Sequence, residues 1–383
     1  MDCSLRYSMP IVCVRGGRIE VLLIIHVQDT VWNRSNNREA SGTLERTDST
    51  WMGARNGLRA LSRRLSSSGS PSPSPSPSPS SWLDRSFLPE RLAQASVEFA
   101  ESGCAVLDNV LAEGDARALR DNVRELFRVN AARVTPNSTF VVDLARQQTS
   151  LFPKAHIHEY DYVSAGPSGL ALLDSIASDV GFSSILTSVL KLDDALVAQN
   201  VKVQKNDGGG GCFPIHFDTD GSYDTRKLSC ILYLNEEPVG GELVLYPYTK
   251  PRMIVEPTLN RMVVFRSDTV AHRVLPSLSE RYCLTIWCSS RPTHATVDEF
   301  EKEKTHLLVN ALQRATGDEQ KQTIRDAIEA LPVVQKTLTK LVLQDEWRAS
   351  LIESHAPSPE RDALLASFDA ELEHIRSFAR MIM

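Results

Sequence analysis

From residue 196 onward the apolar positions come in short runs. Segments 196–203, 228–235, 242–246, 253–256, 261–265, 272–275 and 281–288 are rich in β-branched and aromatic residues and are separated by Gly, Pro, Asn or Asp. That pattern predicts strands joined by turns. Many short strands at even spacing predict a mostly β core over 196–291, a barrel or jelly roll, with flanking α-helices. On both sides the apolar period lengthens to that of helices. Upstream, 82–195 reads as a helical support: Leu119, Val123, Leu126 and Phe127 share one face, a short strand interrupts at 104–107, and Leu170, Leu173, Ile176, Ile185 and Val189 mark a second helical stretch. Downstream, Leu307, Leu312, Ile324, Ile328, Leu364, Phe368 and Leu372 predict a helical C-terminal appendage over 292–383. Residues 1–51 show no sustained period. The repeat SPSPSPSPSPS at 70–80 favours an extended, solvated chain, so 1–81 is expected to be a disordered or targeting segment with a Ser-Pro spacer.

Composition adds limits. Among 383 residues, 42% hydrophobic and 23% charged is ordinary for a globular protein with enough apolar material for a core. A net charge of -6 argues against broad nucleic-acid binding, which needs clustered Lys and Arg on phosphates. Seven cysteines, an odd number without a CxxC pair, read as reduced thiols acting as small buried hydrophobes, none of them a ligand. No apolar run approaches the roughly 20 residues of a membrane span. From Met52 the chain is rich in Ser, carries Arg55, Arg59, Arg63 and Arg64, and has no acidic residue until Asp84. An organelle transit peptide is built this way, so mitochondrial or other organellar targeting is expected if Met52 is the start, and a cytoplasmic location otherwise.

The candidate chemistry lies in the strands. In IHFD, residues 215–218, His216 and Asp218 are two apart and on an extended backbone face the same side. Two imidazoles and one carboxylate hold one face of a non-haem ferrous ion and leave the other positions open. His272, after 53 intervening residues, opens another strand and suits the third position. Nine residues on, Arg281 begins RYCLTIWC, where alternation puts Arg281, Cys283, Thr285 and Trp287 on one face. Its planar fork can pair with a carboxylate, as the far end of a metal-chelating dicarboxylate requires.

The segments IHFDTDGSYDTRKLSCILYLNEEPVGGELVLYP and EPTLNRMVVFRSDTVAHRVLPSLSERYCLTIW resemble the catalytic core of prolyl 4-hydroxylase-type Fe(II)/2-oxoglutarate dioxygenases, including the oxygen-sensing prolyl hydroxylases. The resemblance covers roughly 196–290 and implies that the β core is a double-stranded β-helix (jelly roll). It implies that His216, Asp218 and His272 are the iron ligands and that Arg281 anchors the distal carboxylate of 2-oxoglutarate. Tyr233 would assist that carboxylate, and Thr285 and Trp287 would stand beside it. The implied reaction hydroxylates a C–H bond with O2, releasing succinate and carbon dioxide, with L-ascorbate as the expected reductant of oxidised iron. The resemblance names a peptidyl proline as first substrate, with a small molecule as the alternative. Asn206 stands where the oxygen-sensing enzymes carry a further cosubstrate tyrosine, and Gly208 to Gly211 are expected to make a mobile rim.

Other features receive plainer readings. KAHIHEYDY, with His156, His158, Glu159 and Asp161, is expected to be a polar loop, a lid or a substrate-contacting strand; His294, His306, His355 and His374 are expected to be solvated. Two rival functions stand: a scaffold that has kept the jelly roll and recruits a helical protein partner through its C-terminal region, and a cupin-like metal site without 2-oxoglutarate.

Overall fold

The computed structural model describes residues 11–15, 18–22, 88–143, 148–219, 225–291 and 297–382. The Met52 segment, the Ser-Pro repeat and His294 lie outside the described residues. Within 1–81, one pair of strands is described, Ile11–Arg15 with Arg18–Leu22, antiparallel. Two β-branched pieces on either side of Gly16 and Gly17 are a hairpin signal that the expectation of no structure there passed over.

Two antiparallel sheets form the jelly roll. The larger has seven strands in the order Cys104–Asp108, Arg261–Arg266, Arg226–Tyr233, Arg281–Ser290, Leu196–Asn206, Gln148–Asp161 and Thr135–Asp143. The smaller has four, Met253–Val255, Leu243–Tyr246, Ala271–Val274 and Phe213–His216. The large sheet is covered on both faces, so its central strands lack the usual apolar–polar alternation and almost every residue of Arg281–Ser290 is buried. Its Tyr282, Leu284, Ile286 and Cys288 pack under helices from the upstream region, with Leu119, Val123 and Phe182. Its odd positions face the small sheet, where Ile231, Tyr233, Cys283, Leu243, Leu245 and Phe265 make a second apolar cluster.

The upstream region is more than a helical support. Helices Leu88–Ser102, Glu113–Val129, Ala171–Ser178 and Val180–Val189 are present, but three strands of the large sheet also come from it. Thr135–Asp143 and Gln148–Asp161 extend the sheet beyond the expected boundary at 196. Their polar composition conceals strands because buried positions are held by charged residues, Lys154, Glu159 and Asp161, rather than by apolar ones.

The C-terminal region is packed onto the core. Helices Val297–Arg314, Asp318–Glu329, Pro332–Val342, Gln344–Ser354 and Pro359–Ile382 follow the last strand. Trp347, Leu351, Leu364, Phe368 and Leu372 cover the outer face of the small sheet at Ile215, Val244, Tyr246 and Ala271. Phe213–His216 is an edge strand, and edges leave unpaired backbone groups. Here the Ile215 N–H donates to the Ser350 hydroxyl (2.9 Å), and Ser350 is fully buried. Lys336 donates to the Thr219 carbonyl (2.9 Å) at the other end of the same segment. Ser350→Ala leaves that N–H buried with no acceptor and is expected to destabilise the protein by about 1–3 kcal/mol in denaturant titration; a change below about 0.5 kcal/mol would mean that the helix does not secure the edge.

His355 departs from its expected place in solvent. It is 3% exposed, its ring stacks on Phe152 (centroids 5.2 Å apart), and its Nε2 lies 3.1 Å from the Thr139 hydroxyl. Burial lowers its pKa from 6.5 to about 4. The unfolded chain therefore takes up the proton first, and stability contributed by neutral His355 is lost as pH falls from the ordinary value toward the folded one. Between about pH 7 and about pH 5 the wild type is expected to lose roughly 1–2 kcal/mol more stability than His355→Leu, measured by denaturant melts at both pH values.

Candidate active site

The small sheet brings the two imidazoles together. His216 and His272 are direct cross-strand partners, their ring centroids 4.2 Å apart. Asp218, two residues past the edge strand, completes the group: its Oδ1 lies 3.6 Å from His216 Nε2 and 3.7 Å from His272 Nε2. The three ligand atoms lie within 4.8 Å of one another, so one ion can touch all three.

The remaining polar atoms of the triad are fixed from behind. His216 Nδ1 sits 2.8 Å from the Pro214 carbonyl and His272 Nδ1 3.3 Å from the Val270 carbonyl. A carbonyl can only accept, so each Nδ1 carries the proton and each Nε2 presents a lone pair to the shared centre. Asp218 Oδ2 accepts from the Trp287 indole N–H (3.0 Å) and from the Ser229 hydroxyl, which lies 2.8 Å from that of Ser267. This leaves Oδ1 for a metal. Burial works against the Asp218 charge, but the imidazoles of His272 and His216 and the nearby Arg226 hold its carboxyl far below the usual range. Burial, with His216 beside it, lowers His272 from 6.5 to about 4. At neutral pH the triad is one carboxylate and a neutral His272, the states a cation binds.

Arg281 lies in the same cavity. It is 3% exposed, its guanidinium stands 5.0 Å over the Tyr233 ring, and its Nε donates to the Gly241 carbonyl (3.0 Å). Gly241 must lack a side chain: at φ 75° its Cβ would lie 2.7 Å from Arg281 Cδ. Among the described residues no carboxylate pairs with Arg281, although a buried cation ordinarily has such a partner. Tyr233 is fully buried and its hydroxyl has no hydrogen-bond partner; burial pushes its pKa up, so it remains a donor. A buried cation and an orphaned phenol side by side could hold one oxyanion, such as a carboxylate. Thr285 and Trp287 line the same cavity.

One neighbouring expectation changes, and KAHIHEYDY takes one of the forms expected of it. The glycine run is not a loose rim: Gly210 N–H donates to the Ser277 carbonyl (2.9 Å), the Asn206 amide donates to the Gly211 carbonyl (2.7 Å), and a Cβ on Gly209 would lie 2.5 Å from the His156 ring. At Gly208, Gly209 and Gly211 the walls are close, whereas Gly210 has open space and a φ of 88° that favours glycine. KAHIHEYDY is a strand, with Glu159 and Asp161 both holding the buried Lys202 (3.0 and 3.3 Å). Sequence reading missed Ser229, Ser267, Asn137 and Lys154. The signal for Ser229 was alternation from Tyr233, which puts both on the cavity face.

Residues 201–289 match the family model of the 2OG-Fe(II) oxygenase superfamily. The chain is 31% identical over 113 residues to the mouse prolyl hydroxylase EGLN3, covering 28% of this chain and 47% of that protein. It is 32% identical over 111 residues to the human one, covering 27% and 46%. The chain thus spans about half the length of the curated relatives it matches. A crystal structure of prolyl 4-hydroxylases from Phytophthora capsici is similar with a TM-score of 0.54 at 26% identity, covering 78% of this chain and 94% of that one. The jelly roll is thus similar to the core of 2-oxoglutarate- and Fe(II)-type oxygenases. Within that class it is prolyl hydroxylase-like.

Proposed function

We propose that this protein is a 2-oxoglutarate-dependent dioxygenase that hydroxylates a peptidyl prolyl residue. One oxygen atom of O2 enters the C–H bond and the other enters succinate as 2-oxoglutarate loses carbon dioxide. The observation that carries the reading is a buried Arg281 without a carboxylate partner, beside the partnerless Tyr233 hydroxyl, in the cavity that also holds the His216, Asp218 and His272 triad; Tyr233 packs against Arg281. A cupin-like metal site needs neither group, and a scaffold needs neither group nor the triad. Ferrous iron with 2-oxoglutarate supplies the oxidising power; the chain supplies the ligand set, a cation and a hydroxyl donor for the distal carboxylate, and apolar walls that exclude water. Prolyl specificity rests on the likeness to prolyl hydroxylases, and the need for ascorbate is inherited from the same resemblance. Organellar delivery through the segment after Met52 belongs to the same proposal, as does a helical protein partner for the C-terminal region.

The test incubates the full chain with Fe(II), 2-oxoglutarate, ascorbate and O2 against peptides that carry Pro or Ala at one position. A one-oxygen mass increase confined to the Pro peptides, with equimolar succinate, is expected. Succinate released with small molecules only, and no peptide oxidised, would move the assignment to a small-molecule hydroxylase.

A further inference from the structure

Beside the cavity the strand Gln148–Asp161 leaves its regular register. Pro136 pairs with His158 and Ser138 with Pro153, so four residues, Lys154 to Ile157, stand opposite Asn137 alone. His156 absorbs the irregularity in a left-handed conformation (φ 65°), its ring packed where Gly209 lacks a side chain. Bulges re-aim side chains beside sites, and a strained residue persists where its surroundings hold it.

This bulge turns Lys154 inward. The residue is 4% exposed and lines the cavity together with Phe213, His216 and Asn137. Its Nζ donates to Asn137 Oδ1 (2.8 Å) and lies 5.0 Å from the Phe213 ring centre. Asn137 is fixed in turn, its amide donating to Glu159 Oε2 (2.8 Å), while Glu159 is also held by Lys202. An ammonium has three donors, and here one is used within the fold. Among the described residues no carboxylate forms an ion pair with Lys154. Burial lowers its pKa from 10.5 to about 8, with Glu159 opposing that shift and Lys202 adding to it. The shift reflects the cost of burying the charge, which Glu159 offsets only in part.

Arg281 and Lys154 come from different strands, with Leu196–Asn206 between those strands in the sheet. Arg281 is the cation proposed for the cosubstrate, which leaves Lys154 for a second ligand of the same cavity. We propose that Lys154, held by Asn137, is a specificity-determining residue that receives a carboxylate of the substrate, an Asp or Glu side chain near the target residue of an acidic peptide. This rests on the reading that the cavity takes a peptide. A desolvated ammonium with two open donors gains most from an anion, and a charge-assisted bond across a dry wall is among the stronger polar contacts.

The experiment measures binding, so that it does not depend on turnover. The full chain, loaded with Mn(II) and 2-oxoglutarate, is titrated calorimetrically with four peptides that combine Glu or Gln beside the target with Pro or Ala at the target. The wild type is expected to prefer Glu over Gln by about tenfold, the preference falling to near unity in Lys154→Met and returning in part in Lys154→Arg. Should Lys154→Met not fold, Asn137→Ser, which frees the ammonium from its anchor, is expected to reduce the same ratio. Equal binding of Glu and Gln peptides to the wild type, or a ratio untouched in the folded variant, would overturn the assignment, as would no binding of any peptide. A Glu preference that is the same with Ala as with Pro supports the subsite and counts against prolyl specificity alone.

Discussion

Replacing Asp218 by asparagine is expected to reduce iron affinity by more than about 100-fold, the upper end of the losses seen when only outer-sphere partners of metal ligands are changed. The two oxygens of Asp218 have opposite duties. Oδ2 accepts from Trp287 and Ser229, whereas Oδ1 faces the Nε2 atoms of His216 and His272. An amide cannot serve both sides. With its oxygen toward Trp287 and Ser229, its NH2 points at the metal position; turned round, it sets two N–H donors against two others and buries them unpaired. The charge that favours a cation is lost in either orientation. Equilibrium dialysis under anaerobic conditions measures the change, with circular dichroism establishing that the variant is folded. Near wild-type iron affinity in folded Asp218→Asn would remove Asp218 from the ligand set.

Arg281→Met should separate cosubstrate binding from stability. Loss of one partner from a buried charge-assisted pair costs about 2–5 kcal/mol, so 2-oxoglutarate affinity is expected to fall by at least roughly 30-fold. Iron affinity should change far less, because Arg281 touches none of the triad. Without cosubstrate the effect on stability has the opposite sign. In the free protein Arg281 is a buried cation without an acidic partner, and an apolar side chain of similar length relieves that cost. The variant should melt at a higher temperature than the wild type without 2-oxoglutarate and lose most of the rise that 2-oxoglutarate gives the wild type. Calorimetry for affinity and thermal melts with and without 2-oxoglutarate read the two halves. Unchanged affinity would place the distal carboxylate elsewhere, and a lower melting temperature would mean that Arg281 is matched within the fold.

The core strands were legible because their chemistry is local. Arg281 to Cys288 alternates between Arg281, Cys283, Thr285 and Trp287 on one face and Tyr282, Leu284, Ile286 and Cys288 on the other, and the structure keeps that division. Within HxD the two-residue spacing brought His216 and Asp218 to one side, and the cross-strand pairing of His216 with His272 supplied the third group. The outer strands were less legible. Period-two reading looks for apolar residues on the buried face, but here the buried positions include Glu159 and Asp161, compensated by Lys202, and Lys154, held by Asn137. The bulge at Lys154 to Ile157 shifts the register as well, so no single period runs through the strand. His355 was misread because a lone histidine in a charged helical tail carries no sign of the Phe152 ring and Thr139 hydroxyl that cover it from more than 200 positions earlier. Gly208 to Gly211 were misread for a related reason: a glycine run signals freedom when solvent surrounds it and close approach when walls do, and only the fold distinguishes the two.

The central claim is that one cavity holds iron on His216, Asp218 and His272 and the far carboxylate of 2-oxoglutarate on Arg281. Anaerobic titration of the full chain with Fe(II) and then 2-oxoglutarate, followed by visible absorption, tests it most directly, with His216→Ala as the control. A weak visible charge-transfer band is expected in the wild type, saturating at one equivalent of 2-oxoglutarate and not forming in His216→Ala. A folded, iron-bound wild type that gives no band would contradict it.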